Sequence, residues 1–268
     1  MNETHPTLYP ELNEVLQDLV TNIQVILGNN FLGAYLQGSF AVGDFDQHSD
    51  VDFIVVMEDD IASEHIPLLQ EMHTRIFKLT SPWAQHLEGS YFPKEILRQA
   101  PQRDEQVWYL DNGSSVLIRS NHCNTLVVRW VLREHEVILT GPTPKDLIDP
   151  VPAEALRREI REVIHDWGRE LLSNPQKFNN RFYQSFIVLS YCRMLHDLIL
   201  GSVTSKRTGA EWAKTNLDPS WKGLIDRTWA ARPNPEISIQ QPADGEDFQH
   251  TLEFVAYVIE ESKKFSIS

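Results

Sequence analysis

The sequence predicts an α+β fold: an N-terminal domain of mixed β-sheet and helices over residues 1–150, then an α-helical bundle over 151–268. Three observations carry this. Tyr35 to Met57 contains two apolar, β-prone runs separated by a glycine-serine turn and a polar loop. Asp149-Pro150-Val151-Pro152 has the composition of a linker. Beyond that linker only helical periodicity remains.

Taken in order, residues 10–28 place Leu12, Val15, Leu16, Leu19, Val20, Ile23, Ile26 and Leu27 at helical spacing, with Gly28 as the stop. Phe31 to Leu36 is expected as a buried strand that Gly38-Ser39 ends. A short turn or helix runs to Gly43. Phe53-Ile54-Val55-Val56 is β-branched and aromatic, as a core strand requires. Glu64 to Leu79 is a second amphipathic helix. A short strand is expected through Leu87, with Glu88 near its end. Val107 to Arg119 forms a hairpin around Asp111-Asn112-Gly113. Thr125 to Glu134 is helical, and Val137-Ile138-Leu139 is a last short strand. After the linker, helices are expected over 153–172, 182–200, 211–217, 221–231 and 248–264.

The 268 residues suffice for two domains with substantial cores. A net charge of −14 argues against a nucleic-acid binder, which needs basic surface to meet phosphates, and favours a cationic small substrate. Two cysteines make neither a disulfide framework nor a metal cluster. The N-terminus lacks the basic and apolar regions of a signal peptide, and no run has membrane-spanning length, so a cytoplasmic protein is expected. A monomer is the expected state. His86, His122 and His135 show no ligand spacing and are expected to be structural.

The chemistry concentrates between Tyr35 and Met57. Residues two apart on a strand point to one face, so Asp50 and Asp52 should project together. Their mutual repulsion is best relieved by a divalent cation with oxygen ligands. Gly38 allows a tight turn and close approach to a ligand. Ser39 adds a hydroxyl where a helix start offers free N–H groups to phosphate oxygens. A phosphate cradle beside paired carboxylates describes a site for Mg2+ and a triphosphate.

Gly38-Ser39, Gly43 and Ser49-Asp50-x-Asp52 with four following apolar residues resemble the signature of the nucleotidyltransferase superfamily, the fold of DNA polymerase beta and the antibiotic nucleotidyltransferases. Further stretches resemble the aminoglycoside nucleotidyltransferases that adenylylate streptomycin and spectinomycin. These are Arg133-Glu134-His135 with Leu139-Thr140-Gly141-Pro142, Tyr191-Cys192-Arg193-Met194-Leu195, and Gly201 to Lys206 with Glu211-Trp212-Ala213.

The resemblance implies transfer of AMP from ATP to a hydroxyl with release of pyrophosphate. It implies that Gly38, Ser39, Ser49, Asp50 and Asp52 bind ATP and Mg2+. It also implies a third acid on a neighbouring strand, for which Glu88 is the best-placed residue. Glu88 would take the acceptor's proton or complete the metal shell; the bland alternative is a surface glutamate. Arg193 and Lys206 would reach across the cleft to the phosphates, and Trp229 would occupy the family's aromatic position near the nucleotide. An arginine in the apolar helix 182–200 needs an anionic partner if buried, and a triphosphate supplies one. Lys206 is expected in the loop after Gly201.

One departure bears on the acceptor. Where the family carries carboxylates that hold the antibiotic's amino groups, this chain has Asn179-Asn180-Arg181-Phe182-Tyr183-Gln184. Streptomycin, with its guanidinium groups, would suffer most from that loss. The alternatives are a metabolite or protein hydroxyl as acceptor, or a nucleotide-binding regulatory protein with a degenerate site.

Overall fold

The β-branched run Phe53 to Val56 lies in the middle of a strand covered on both faces, which is why it is apolar without alternation. The computed structural model describes residues 5–46, 49–102, 104–232 and 239–265. It divides into two compact units, Met1–Val151 and Pro152–Ser268.

The first unit is built on a six-stranded sheet: β1 (Phe31–Leu36), β2 (Val51–Met57), β3 (Leu87–Pro93), β4 (Val107–Leu110), β5 (Leu117–Ser120) and β6 (Ile138–Thr140), in the order β5-β4-β3-β2-β1-β6. β2 and β3 run parallel, and the other neighbours are antiparallel. Helices α1 (Pro10–Leu27), α2 (Gly38–Val42), α3 (His65–Phe77), α4 (Lys94–Arg98), α5 (Leu126–His135) and α6 (Pro144–Leu147) connect or cover it.

Alternation along β2 feeds two cores. Val51, Phe53, Val55 and Met57 pack with Leu12 and Leu16 of α1 and Leu69 and Ile76 of α3. Ile54 and Val56 join Tyr35, Phe92 and, from α5, Val128 and Leu132. Each such side chain, taken fully from water, contributes about 1.5–3 kcal/mol. Asp52 shares the parity of Ile54 and Val56, so the α5 face of the sheet carries the acidic cluster.

Glu88 differs from its expected place. Strand β3 begins at Leu87 and Glu88 is its second residue, because Gly89 does not end the strand but fits beneath a ring. A Cβ on Gly89 would stand 2.6 Å from the Phe53 ring. Gly89→Ala is therefore expected to cost ~1–3 kcal/mol through overpacking. Urea unfolding checks this, and an unchanged midpoint would contradict the packing.

The buried guanidinium of the first unit is Arg129, 1 % exposed. It donates to the carbonyls of Ile96, Leu97, Gln99 and Thr125 and to Asn124 Oδ1, tying α5 to the segment after β3. Arg193, expected to be buried in an apolar helix, is only half-buried. The demand for an anion inside that helix therefore does not arise from burial.

The second unit comprises α7 (Ala153–Ser173), α8 (Arg181–Leu200), α9 (Lys206–Asn216), α10 (Lys222–Ala231) and α11 (Gly245–Lys263). Helix α8 is apolar almost all round because α7, α9, α10 and α11 all pack on it. Asn180 caps its start by accepting from Tyr183 N, and Gly201, with φ 71°, closes its end. Helix α9 starts earlier than expected: Ser205 Oγ accepts from Thr208 N, making Lys206 the first helical residue rather than a loop residue. No described helix is long and apolar enough to cross a membrane.

Candidate active site

The parallel pairing of β2 with β3 sets Asp52 in register with Glu88. Neighbours in register on parallel strands share a face, so both carboxylates stand on the α5 side of the sheet. Asp50 lies immediately before β2. Val51 N donates to the His86 carbonyl (2.8 Å), which fastens the starts of the two strands together. Asn112, in the loop between β4 and β5, donates from Nδ2 to Asp50 Oδ1 (2.6 Å), and Gln37 Nε2 donates to Asp52 Oδ1 (3.3 Å).

Antiparallel pairing of β3 with β4 sets Ser90 opposite Tyr109, bringing Tyr109 to the same face. Its hydroxyl lies 2.7 Å from Glu88 Oε1 and 2.9 Å from Asp111 Oδ1. With one proton to donate, it can serve only one carboxylate at a time. His122 Nε2 lies 3.5 Å from the same Glu88 oxygen, and its ring stands 5.3 Å from that of Tyr109. Burial raises the Glu88 pKa above the ordinary carboxylate range; Tyr109 and His122 oppose this, while Asp50 and Asp111 add to it. Cys123 forms part of the floor, its thiol pushed up to about 12 chiefly by burial.

On the other side of Asp52, Gly38 opens α2 with φ 61°, and a Cβ there would collide with the Asp52 carboxylate. Gly38→Ala is expected to lose about 1–2 kcal/mol from the left-handed backbone alone and to push Asp52 out of place. Thermal unfolding together with Mg2+ titration checks this; unchanged values in both would contradict it. Ser39 is the second residue of α2, and its carbonyl accepts from Gly43 N and Asp44 N. Ser49 is buried and its hydroxyl accepts from Asp46 N (2.9 Å), holding the loop that delivers Asp50.

In the second unit, Arg193 lies where α9 crosses α8 closely: a Cβ on Gly209 would meet Arg193 Cα at 2.5 Å. One turn on, buried Asp197 accepts from Thr204 N and Oγ1 (2.8 and 2.7 Å), and burial pushes its pKa up to about 6 against the pull of Arg193. Lys206 Nζ lies 4.3 Å from the Phe186 ring centroid. Trp229 is flanked by the guanidinium groups of Arg207 (5.5 Å) and Arg232 (4.8 Å). Cationic and aromatic groups thus gather around the α8–α9–α10 packing.

Residues 146–261 match the model of the aminoglycoside adenylyltransferase C-terminal domain, and residues 29–104 match that of the nucleotidyltransferase domain. The chain is a nucleotidyltransferase with an aminoglycoside adenylyltransferase-type C-terminal domain. This enzyme is 23 % identical over 260 residues to an aminoglycoside (3'')(9) adenylyltransferase of Shigella flexneri, covering 90 % of this chain and 93 % of the relative. It is 23 % identical over 224 residues to a spectinomycin 9-adenylyltransferase of Staphylococcus aureus, covering 80 % and 82 %. Its fold is similar to that of a spectinomycin adenyltransferase from Enterococcus faecialis solved with ATP and spectinomycin: TM-score 0.64, 15 % identity, 92 % of this chain and 98 % of that one.

Against this family background, the structure gathers Asp50, Asp52 and Glu88 on one face beside Gly38. Glu88 is no surface glutamate; its side chain is 14 % exposed. The nucleotidyltransferase has further residues at this face that sequence reasoning missed: Gln37, Asn112, Tyr109, His122 and Cys123. His122, expected to be structural, stands against Glu88. The alternation of β4 marks Tyr109 as facing one side, but only strand register shows which side that is.

Proposed function

We propose that this enzyme transfers AMP from ATP to a hydroxyl of an aminoglycoside-type antibiotic, spectinomycin before streptomycin. The observation that carries this reading is the register of Asp52 with Glu88 beside Asp50 and the Gly38 turn. Crowded carboxylates with fixed orientation are a fitting donor set for Mg2+, which prefers oxygen ligands. Asp50 and Asp52 would hold it, with Glu88, in register with Asp52 on the neighbouring strand, as the candidate third ligand. When bound, Mg2+ neutralises charge on the triphosphate and on the departing pyrophosphate.

The protein's own groups account for the remainder. Glu88 accepts the proton of the acceptor hydroxyl, whose oxygen attacks the α-phosphorus as the bond to pyrophosphate breaks. Tyr109 holds Glu88 Oε1 in position. Gly38 admits the phosphates closely, and Ser39 and Ser49 line their approach. In the second unit, Arg193 and Lys206 are the residues we assign to phosphate charge and Trp229 the one we assign to the nucleotide.

The preference for spectinomycin follows from the stretch 179–184. Asn180 is committed to capping α8, and Gln184 is buried and bonded to Asp247. That carboxylate is itself engaged by Arg227 (2.5 Å), so it is not available to a guanidinium of streptomycin. We further read the enzyme as a cytoplasmic monomer that binds no nucleic acid.

The test is incubation with α-labelled ATP and Mg2+ against spectinomycin and streptomycin, following labelled adduct and pyrophosphate. The expected outcome is adduct with spectinomycin and less with streptomycin. ATP binding without adduct on either would transfer the reading to another hydroxyl acceptor. ATP binding with no transfer to any hydroxyl would leave a nucleotide-binding regulatory protein, and failure to bind ATP would overturn the reading.

A further inference from the structure

One set of side chains at this face has a chemistry that the transfer reaction does not call for. The ligand atoms of Glu88, His122 and Cys123 all lie within 4.8 Å of one another. They come from two places in the fold, the start of β3 and the segment between β5 and α5, which sheet pairing brings together. The set holds one carboxylate oxygen, one imidazole nitrogen and one sulfur. Mg2+ has little affinity for nitrogen or sulfur, whereas Zn2+ and its neighbours favour this mixture, with three protein ligands and an open fourth position.

We propose that Glu88, His122 and Cys123 form a binding site for a borderline transition-metal ion, Zn2+ foremost, and that filling it blocks the enzyme by seizing Glu88. Three features of the geometry suit it. His122 is 64 % exposed and Glu88 14 %, so an ion enters from the imidazole side, while buried Cys123 forms a dry floor. Tyr109, 2.7 Å from Glu88 Oε1, supplies the outer hydrogen bond that orients a ligating carboxylate. Metal–ligand bonds of about 2.0–2.3 Å require the three atoms to draw together, and the exposed His122 side chain has the freedom to close that gap. On binding, the thiol proton passes to the buffer and a sulfur–metal bond forms. Cys192, buried in the second unit, belongs to no such group among the described residues.

Binding stands independently of the proposed reaction; only the blocking of transfer rests on it. The experiment uses the full chain without a polyhistidine tag, in excess Mg2+. Titration with Zn2+ is expected to show one site, and Co2+ to give a thiolate-to-cobalt charge-transfer band. His122→Ala and Cys123→Ser should each weaken binding by at least about tenfold, since even outer-shell losses cost 10–100-fold. Cys123→Ser should abolish the cobalt band, and Cys192→Ser should leave it unchanged. Where transfer is measurable, Zn2+ should inhibit wild type at concentrations that spare His122→Ala relative to its own zinc-free rate. No zinc site, a cobalt spectrum without the thiolate band, or equal affinity in Cys123→Ser would each overturn the proposal. Zinc binding without inhibition would retain the site and overturn the blocking.

Discussion

Asp52→Ala is expected to lower AMP transfer by ~10³-fold or more while leaving the protein folded. Asp52 is the acid held nearest the Gly38 turn and paired in register with Glu88. On the proposed reading its loss removes one of two anchors for Mg2+, an ion worth several kcal/mol in transition-state charge stabilisation, and each ~1.4 kcal/mol is tenfold in rate. The fold should tolerate the change, because the residue is only half-buried and its removal thins a crowd of carboxylates. Single-turnover rates at saturating Mg2+, beside a thermal melt, decide the point. Near-normal turnover would remove Asp52 from the site, and a collapsed melting temperature would make the rate uninformative. Asp52→Asn then serves as the isosteric control.

Glu88→Gln should lower the rate by ~10²–10⁴-fold with Mg-ATP affinity retained, as expected for loss of a general base. Parallel loss of Mg-ATP affinity would instead make Glu88 chiefly a metal ligand. An unchanged rate would remove it from the mechanism. The same variant has a stability signature with a definite sign. The folded-state pKa of Glu88 lies above the ordinary value, burial being the largest cause. Between the ordinary pKa and the raised one the native state binds more protons than the unfolded state, so stability falls as pH rises through that window. Glu88→Gln has no such loss. It should gain stability over wild type as pH rises from below the ordinary carboxylate range toward neutrality. The acid limb of the wild-type rate should correspondingly lie above the usual carboxylate range, and a limb at or below that range would contradict the assignment.

Much of this was legible beforehand because it is local. Apolar spacing placed α1, α3 and the helices after the linker, and Gly28 and Gly201 marked two helix ends through their positive φ. The strand–turn–strand motif marked the Gly38 turn and the paired aspartates, since a glycine turn and a strand's alternation are set by the immediate backbone. The misreadings were of things that depend on distant partners. The strand through Leu87 looked as if it ended near Glu88, whereas Gly89 continues it beneath the Phe53 ring of the neighbouring strand. Arg193 looked buried because its helix is apolar, whereas Arg129, in a less apolar helix, is the one enclosed by carbonyls. Lys206 is a different case: the Ser205 cap that makes it helical is local, and it looked like a loop residue because Gly201 had just closed the preceding helix.

The sequence by itself determined the succession of elements, the acidic motif and the family, because periodicity, turn chemistry and residue order are properties of short segments. Only the tertiary structure decided that Glu88 stands beside Asp52, that Tyr109 and His122 address Glu88, and that Cys123 lies within reach of both Glu88 and His122. Those facts depend on which strands are neighbours and in what register. A slip of one residue would turn every side chain of a strand to its other face, and packing on both sides of the sheet is what forbids it.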